Sequence, residues 1–394
     1  MKHQDLIEKM TLEEKASLVS GKDFWQTQNI DRLGIPSIFL ADGPHGIRKQ
    51  AAAADHLGLN ESIKATCFPT AATMANSWNL ELGKEMGECL SVEAKSQKVN
   101  ILLGPGINIK RNPRCGRNFE YFSEDPYLAG KMASRYIQGI QKEGISGCVK
   151  HFACNSQELR RMTVDSVIDE RTLREIYLTN FEIAVKEGQP KCIMSSYNLI
   201  NGEYANENQH TCNDILRGEW KYNGIMVSDW GGANDHIKGL LANNELEMPT
   251  TDGDTTREII QAVKDGKLEE KVLDENVDRL LDIIFSTTEA LNKEGTEMDV
   301  EKHHKIAQKC AEESLVLLEN DGVLPLNNKE KVAFIGKFIE EPRYQGAGSS
   351  VVNPHKLDRV LDEVKKYDLE YVGYEPGFEL KNKINKGLIK KACK

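Results

Sequence analysis

Segments of helical period alternate with short apolar runs along most of the chain, the pattern of an α/β protein with many parallel strands. A capping box at Thr11-Leu12-Glu13-Glu14 predicts the start of the first long helix, and Gly21 is its candidate stop. Buried strands are predicted over 37–41, 101–103, 147–149, 192–195, 225–228 and, briefly, 246–248. Each run gives way to residues of a distinct kind: Asp42, Gly104-Pro105-Gly106, Lys150-His151, Ser196-Tyr197, Asp229-Trp230 and Pro249. Polar and turn-forming residues at the carboxyl ends of parallel strands are where (β/α)-barrels assemble their sites. An open doubly wound sheet makes the same prediction, so the pattern leaves barrel and sheet open while requiring that these residues converge.

The pattern changes near residue 290. A polar stretch over 290–299 reads as a linker, followed by an amphipathic helix with Ile306, Cys310, Leu315 and Leu318 on its apolar side and Asn320-Asp321-Gly322 as its stop. Strands are predicted at 331–336 (KVAFIG) and 369–372, and a final helix over 382–394. The expected organisation is a first domain over 1–290, a linker and helix over 291–320, and a second α/β unit over 321–394. Two strands make a thin core, so this second unit is expected to be incomplete. It should then expose a sheet edge and apolar helix faces, and self-associate or accept a complementing C-terminal fragment.

Composition narrows the function classes. The 394 residues are 39% hydrophobic and 28% charged, with no run long enough to span a bilayer. A net charge of -10 argues against a nucleic-acid partner. The opening Met1-Lys2-His3-Gln4-Asp5 lacks the apolar core of a secretory signal, and nine dispersed cysteines without a Cys-x-x-Cys pair fit reduced thiols. The expectation is a cytoplasmic protein with no cofactor, metal, membrane or nucleic-acid partner.

Asp229 is the leading chemical candidate. It ends an apolar strand and precedes Trp230, a carboxylate beside an aromatic wall of the kind used on sugars. Taken alone, a strand-end Asp is more often a helix cap, here over Gly231-Gly232-Ala233. Lys150-His151 could bind hydroxyls or simply be a surface Lys and a core His. Arg111, Arg114 and Arg117, with Glu120 and Asp125, could grip a polyhydroxylated ligand or brace a long loop. Asp42, in Asp42-Gly43-Pro44, reads by itself as a turn residue. The loop Gln345-Gly346-Ala347-Gly348-Ser349-Ser350 lacks the Lys of a phosphate-binding loop.

Together these stretches resemble glycoside hydrolase family 3, the family of many β-glucosidases and β-xylosidases. The likeness is carried by LADGPHGIR (40–48), GPGINIKRNPRCGRNFEYFSEDP (104–126), KHFACNSQE (150–158), MSSYNLING (194–202), GIMVSDWGG (224–232) and LENDGVLPL (318–326), and runs over essentially the whole chain. The resemblance implies a (β/α)8 TIM-barrel-like first domain, followed here by an incomplete α/β sandwich. It implies a retaining exo-β-glycosidase acting on terminal, non-reducing β-D-glucosyl residues of a β-glucoside or oligosaccharide, with a β-xylosidase less favoured. Asp229 matches the family's nucleophile, and Asp42, Arg117, Lys150, His151 and Arg161 match the first sugar subsite. Met194, Tyr197 and Trp230 match its walls, and Ser349 or Ser350 the contribution of the second domain.

Two departures stand out. Where N-acetylglucosaminidase members carry a Gly-His pair, this chain reads Phe152-Ala153-Cys154-Asn155, which disfavours that branch. No segment resembles the block that holds the acid/base Glu; Glu340, Glu341, Glu363 and Glu375 lie outside the expected context. The alternatives are therefore a truncated, catalytically impaired sugar-binding fragment or one part of a split enzyme.

Overall fold

A computed structural model describes residues 1–50, 61–381 and 383–394. Five short parallel strands form its central sheet: β1 (Leu40–Asp42), β2 (Ile101–Leu103), β3 (Ser146–Phe152), β4 (Cys192–Ser195) and β5 (Ile225–Val227), adjacent in chain order. Beyond β5 the ring continues through single bridges. Val227 pairs with Leu246, Glu247 is bridged in parallel to Ser20, and Gln26 pairs antiparallel with Phe39 beside β1. The result is a TIM-barrel-like fold closed through the irregular segment 19–27, with 246–248 contributing bridges and no full strand.

Local chemistry explains the helices around it. Thr11 accepts from the Glu14 N–H and the Glu14 carboxylate accepts from the Thr11 N–H, the capping box predicted for the helix Leu12–Leu18. That helix ends before Gly21. The Gly21 N–H instead donates to the Glu247 carbonyl at 2.9 Å, so this glycine serves barrel closure. A side chain there would lie 2.9 Å from Thr250 N and from Met248 Sδ. Asp125 caps the helix Pro126–Ile140, which packs beside Leu80–Ser96 on the outside of the barrel.

The second unit pairs β6 (Lys331–Ile335) in parallel with β7 (Glu370–Glu375), followed by a helix over Lys386–Ala392. The predicted 382–394 helix thus begins later; Asn382 lies outside the described residues. The linker region also differs, since the helix Glu270–Asn292 runs into it. The amphipathic helix spans only Val300–Glu313, and Leu315 and Leu318 lie beyond it, 82% and 91% exposed. Their helical spacing coincides with apolar character that stays largely exposed. By contrast Cys310 is buried, and His303 donates to the buried Glu93 at 2.7 Å, fastening this helix to Leu80–Ser96.

All nine cysteines are free thiols. Among the described residues, no helix is long and apolar enough to cross a membrane.

Candidate active site

Strand alternation builds the site. Successive residues of a strand point to opposite faces. Leu40, Ile101, Leu103, Cys148, Cys192, Met194, Ile225 and Val227 belong to one buried cluster, and Ala41, Leu102, Val149, Ile193 and Met226 to another. Extending the first row by one step beyond Leu40, Cys148 and Val227 reaches Asp42, Lys150 and Asp229. These three, with Leu103 and Met194, line one end of a cavity of about 1220 Å³ at the carboxyl ends of the strands.

Asp229 is buried at this end. Its Oδ1 accepts from the Trp230 N–H at 2.8 Å, while Oδ2 has no hydrogen bond. The nearby Tyr197 hydroxyl donates to the Trp230 carbonyl at 2.9 Å, which commits its proton elsewhere. Burial raises the Asp229 carboxyl above the usual range, and the charges of Arg117 and Lys150 only partly offset it.

The surrounding charges are tightly paired. Lys150 Nζ lies 3.0 Å from Asp42 and 3.8 Å from Glu120. Burial opposes the charge on both Lys150 and Asp42. Their mutual attraction outweighs it, with Glu120 also acting on Lys150, so the amine is held above and the Asp42 carboxyl below its ordinary value. Ser349 lines the cavity with Asp42 and helps lower its carboxyl, bringing the second unit into the site. Arg117 bonds Glu120 and approaches His151 Nε2 at 2.7 Å.

A guanidinium has no acceptor, so His151 Nε2 must be an acceptor and the ring is neutral, its proton on Nδ1 facing Tyr121 and Asn108. Burial, reinforced by Arg117, Lys150 and Arg161, pushes the His151 pKa well below normal. The 3.6 Å approach of His151 to Asp229 is therefore not an ion pair.

The loop from the second unit is fixed at both ends of the Gln345 side chain, which accepts from Val352 N at 2.8 Å and donates to Val352 O at 2.9 Å. Val352 in turn packs on Gly46, where a Cβ would come within 2.8 Å of its methyl and 2.5 Å of the Thr66 carbonyl. Only glycine permits that approach. Asn353–Pro354 then pairs in parallel with Lys64–Ala65, tying the loop to the first domain.

Every residue that the family resemblance assigned to the site, from Asp42 to Ser349, lines the same cavity. The arginine cluster divides. Arg117 enters the cavity, Arg111 bonds the Tyr177 hydroxyl, and Arg114 is exposed. Arg161 lies over the Tyr197 ring at 4.6 Å and bonds Glu158 at 2.9 Å.

Sequence reasoning missed Arg48, 2% exposed and lining the cavity, and the aromatic pair Phe24 and Trp25. Trp25 sits 5.3 Å from the Trp230 ring, and the Trp230 indole donates to Phe24 O at 2.7 Å. The segment that closes the barrel thus supplies a wall of the cavity. Arg48 follows Asp42 by a turn that returns it beside the strand, with Arg48 N donating to Asp42 O at 2.9 Å. Among the described residues no group of three side chains is arranged to hold a metal ion.

This arrangement offers a carboxylate with an unbonded oxygen, a set of cationic and polar groups, and aromatic faces. Residues 10–283 match the family described as glycosyl hydrolase family 3 N terminal domain. The chain is 51% identical over 393 residues to thermostable beta-glucosidase B of Acetivibrio thermocellus, covering 99% of this chain and 52% of that protein. It is 44% identical over 385 residues to an exo-alpha-(1->6)-L-arabinopyranosidase of Bifidobacterium longum, covering 95% and 50%. The crystal structure of a Bifidobacterium adolescentis family 3 beta-glucosidase aligns with a TM-score of 0.91 at 42% identity, over 98% of this chain and 55% of that one. The chain spans about half the length of the curated relatives it matches.

Proposed function

The chain belongs to glycosyl hydrolase family 3, and from that premise we propose that its cavity binds a terminal β-D-glucosyl residue and that Asp229 is the nucleophile of a retaining exo-β-glycosidase. The observation that carries this reading is the Asp229 carboxylate itself, with one oxygen held by Trp230 N–H and the other unbonded at the foot of the cavity. Asp42, Lys150, His151 and Arg48 supply donors and acceptors for sugar hydroxyls, while Trp230, Trp25, Tyr197 and Met194 form apolar walls. Attack by Oδ2 on the anomeric carbon gives a glycosyl ester, and charge developing on the ring is met by the remaining carboxylates.

Retention requires a second carboxyl to protonate the leaving oxygen and then activate water. Among the described residues lining the cavity, Asp42, Glu120 and Glu158 are each paired with lysine or arginine, and we assign none of them this role. The expected behaviour is attack on glycosides whose leaving group needs no proton, with natural glycosides slower by about 10²–10⁴-fold. 2,4-Dinitrophenyl β-D-glucoside should give a burst of dinitrophenolate matching the protein concentration, absent in Asp229→Ala. A burst that survives in Asp229→Ala would refute the assignment. The same assay with the α-L-arabinopyranoside compares the sugar named for the second relative.

A second reading concerns the surface. Leu315, Val316, Leu317 and Leu318 are 59–91% exposed, and Tyr371 and Val372 on β7 are uncovered as well. We propose that these surfaces are covered by self-association or by a polypeptide that adds to the open sheet.

A further inference from the structure

Resting on the reading of the cavity as a sugar site, we infer that Glu93 is a positioning residue that sets how tightly the cavity holds the sugar, although it lies outside the cavity lining. Glu93 is fully buried on the helix Leu80–Ser96, and both of its carboxylate oxygens are in use. Oε2 accepts from Thr66 N–H at 2.9 Å, and Oε1 accepts from His303 Nδ1 at 2.7 Å. Thr66 and His303 are themselves buried.

The bond to Thr66 reaches the site through segment 64–68, the seam between two pieces of the cavity wall. On one side lies the turn between Asp42 and Arg48, both of which line the cavity. Phe68 N–H donates to His45 O at 2.8 Å, and His45 Nδ1 lies 3.2 Å from Phe68 O. The Thr66 carbonyl closes on Gly46, 2.5 Å from where a Cβ would sit. On the other side lies the loop that carries Ser349. Lys64–Ala65 pairs with Asn353–Pro354, and His355 N–H donates to Ala65 O at 2.9 Å. The bond to His303 fixes the same junction by a second route. Its helix also holds the second unit through His304 with Asp358 at 2.8 Å and Glu301 with Lys356 at 2.6 Å.

Asp229 is anchored elsewhere. It stands beyond β5, between Ser228 N–H on Leu246 O at 2.9 Å and Gly231 N–H on Met248 O at 2.8 Å. A buried N–H left without its acceptor costs more than the bond itself contributes, so without Glu93 the seam shifts to satisfy Thr66. That shift moves Asp42, Arg48 and Ser349 against the sugar and leaves Asp229 where it is. Binding weakens while attack on bound sugar is unchanged. Glutamine is the discriminating replacement. Its carbonyl can accept from Thr66, and its amide can donate to His303 once the imidazole proton moves to Nε2. Leucine has similar bulk and offers neither.

The test uses the full 394-residue chain with Glu93→Leu and Glu93→Gln. Each is labelled with 2,4-dinitrophenyl 2-deoxy-2-fluoro-β-glucoside over a range of concentrations, and titrated with glucose by calorimetry. Glu93→Leu should raise the half-saturating concentration and the glucose dissociation constant by about tenfold, the scale of a small misplacement of binding groups. The limiting labelling rate should stay within about twofold, the signature of lost uniform binding. Glu93→Gln should stay near the parent. A merely structural role would lower the labelled fraction and leave both constants unchanged, and that result overturns the inference. So does a limiting rate that falls as far as binding weakens, or a Gln variant that behaves like the Leu variant. If Glu93→Leu shows no cooperative unfolding, Glu93→Asp takes its place: a rise of about threefold supports the inference and unchanged constants overturn it. A parent that binds glucose but takes no label on Asp229 removes the nucleophile reading and leaves calorimetry to decide this one. A parent that binds no glucose overturns it.

Discussion

At the scale of single residues, Asp229 is a group held against its own ionisation preference. Its folded-state pKa is raised, chiefly by burial, so the folded protein binds this proton more tightly than the unfolded chain does. The associated stability is present below the ordinary aspartate pKa and is lost as pH rises through the elevated folded value. Asp229→Asn should therefore abolish the burst yet raise the melting temperature at pH 7, with a smaller gain at pH 4, measurable by calorimetry at both values. The same shift places the acid limb of the burst rate above the ordinary aspartate range, which a pH profile checks.

Lys150 and Asp42 behave oppositely. Each stabilises the other's charge at 3.0 Å in a buried place, so Lys150→Ala strands a carboxylate. A loss of about 3–5 kcal/mol is expected in denaturant unfolding, largely recovered in Lys150→Met/Asp42→Asn. Asp229, Lys150 and Asp42 were legible in the sequence because each ends an apolar strand within a block that resembles the family, position alone favouring a cap, a surface lysine and a turn. Arg48, Phe24 and Trp25 were not, since their place depends on how the segment before β1 and the turn after it fold back on the barrel rim.

At the scale of elements, the capping box of the first long helix was readable from four residues, and its cost is testable. Thr11→Ala should destabilise the protein by about 1 kcal/mol, seen as a lower denaturation midpoint with an unchanged slope. The end of that helix was misread, because Gly21 looks like a C-cap in sequence but is required by close approach to Met248 and Thr250. Strands β2 and β4 matched their predicted bounds, whereas β3 runs on through Phe152, where the polar Lys150-His151 interrupts the apolar signal. Alternation between the two buried clusters is what aims Asp42, Lys150 and Asp229 into one cavity. Periodicity misled after Glu313: the spacing of Leu315 and Leu318 continues the helix in sequence, but the chain leaves it.

At the scale of the whole molecule, a first domain with a well-buried core carries a second unit whose apolar residues are widely exposed. That contrast predicts concentration-dependent self-association in light scattering. Replacing Leu315, Val316, Leu317 and Leu318 by Ser should reduce it without altering the dinitrophenolate burst; a native chain that stays monomeric at high concentration would count against the uncovered face as a contact surface. Yet the second unit also contributes to the cavity. Ser349 lines it with Asp42, and Gln345 fixes the loop that brings it there. Above all, in the mechanism proposed for this cavity Asp229 attacks an anomeric carbon. Labelling the protein with a 2-deoxy-2-fluoro-β-glucoside bearing an activated leaving group, then mapping the modified peptide by mass spectrometry, puts that directly to the test. A single fluoroglucosyl group on Asp229, prevented by excess glucose, is the expected result; a label on any other residue, or no label on a folded protein, would contradict it.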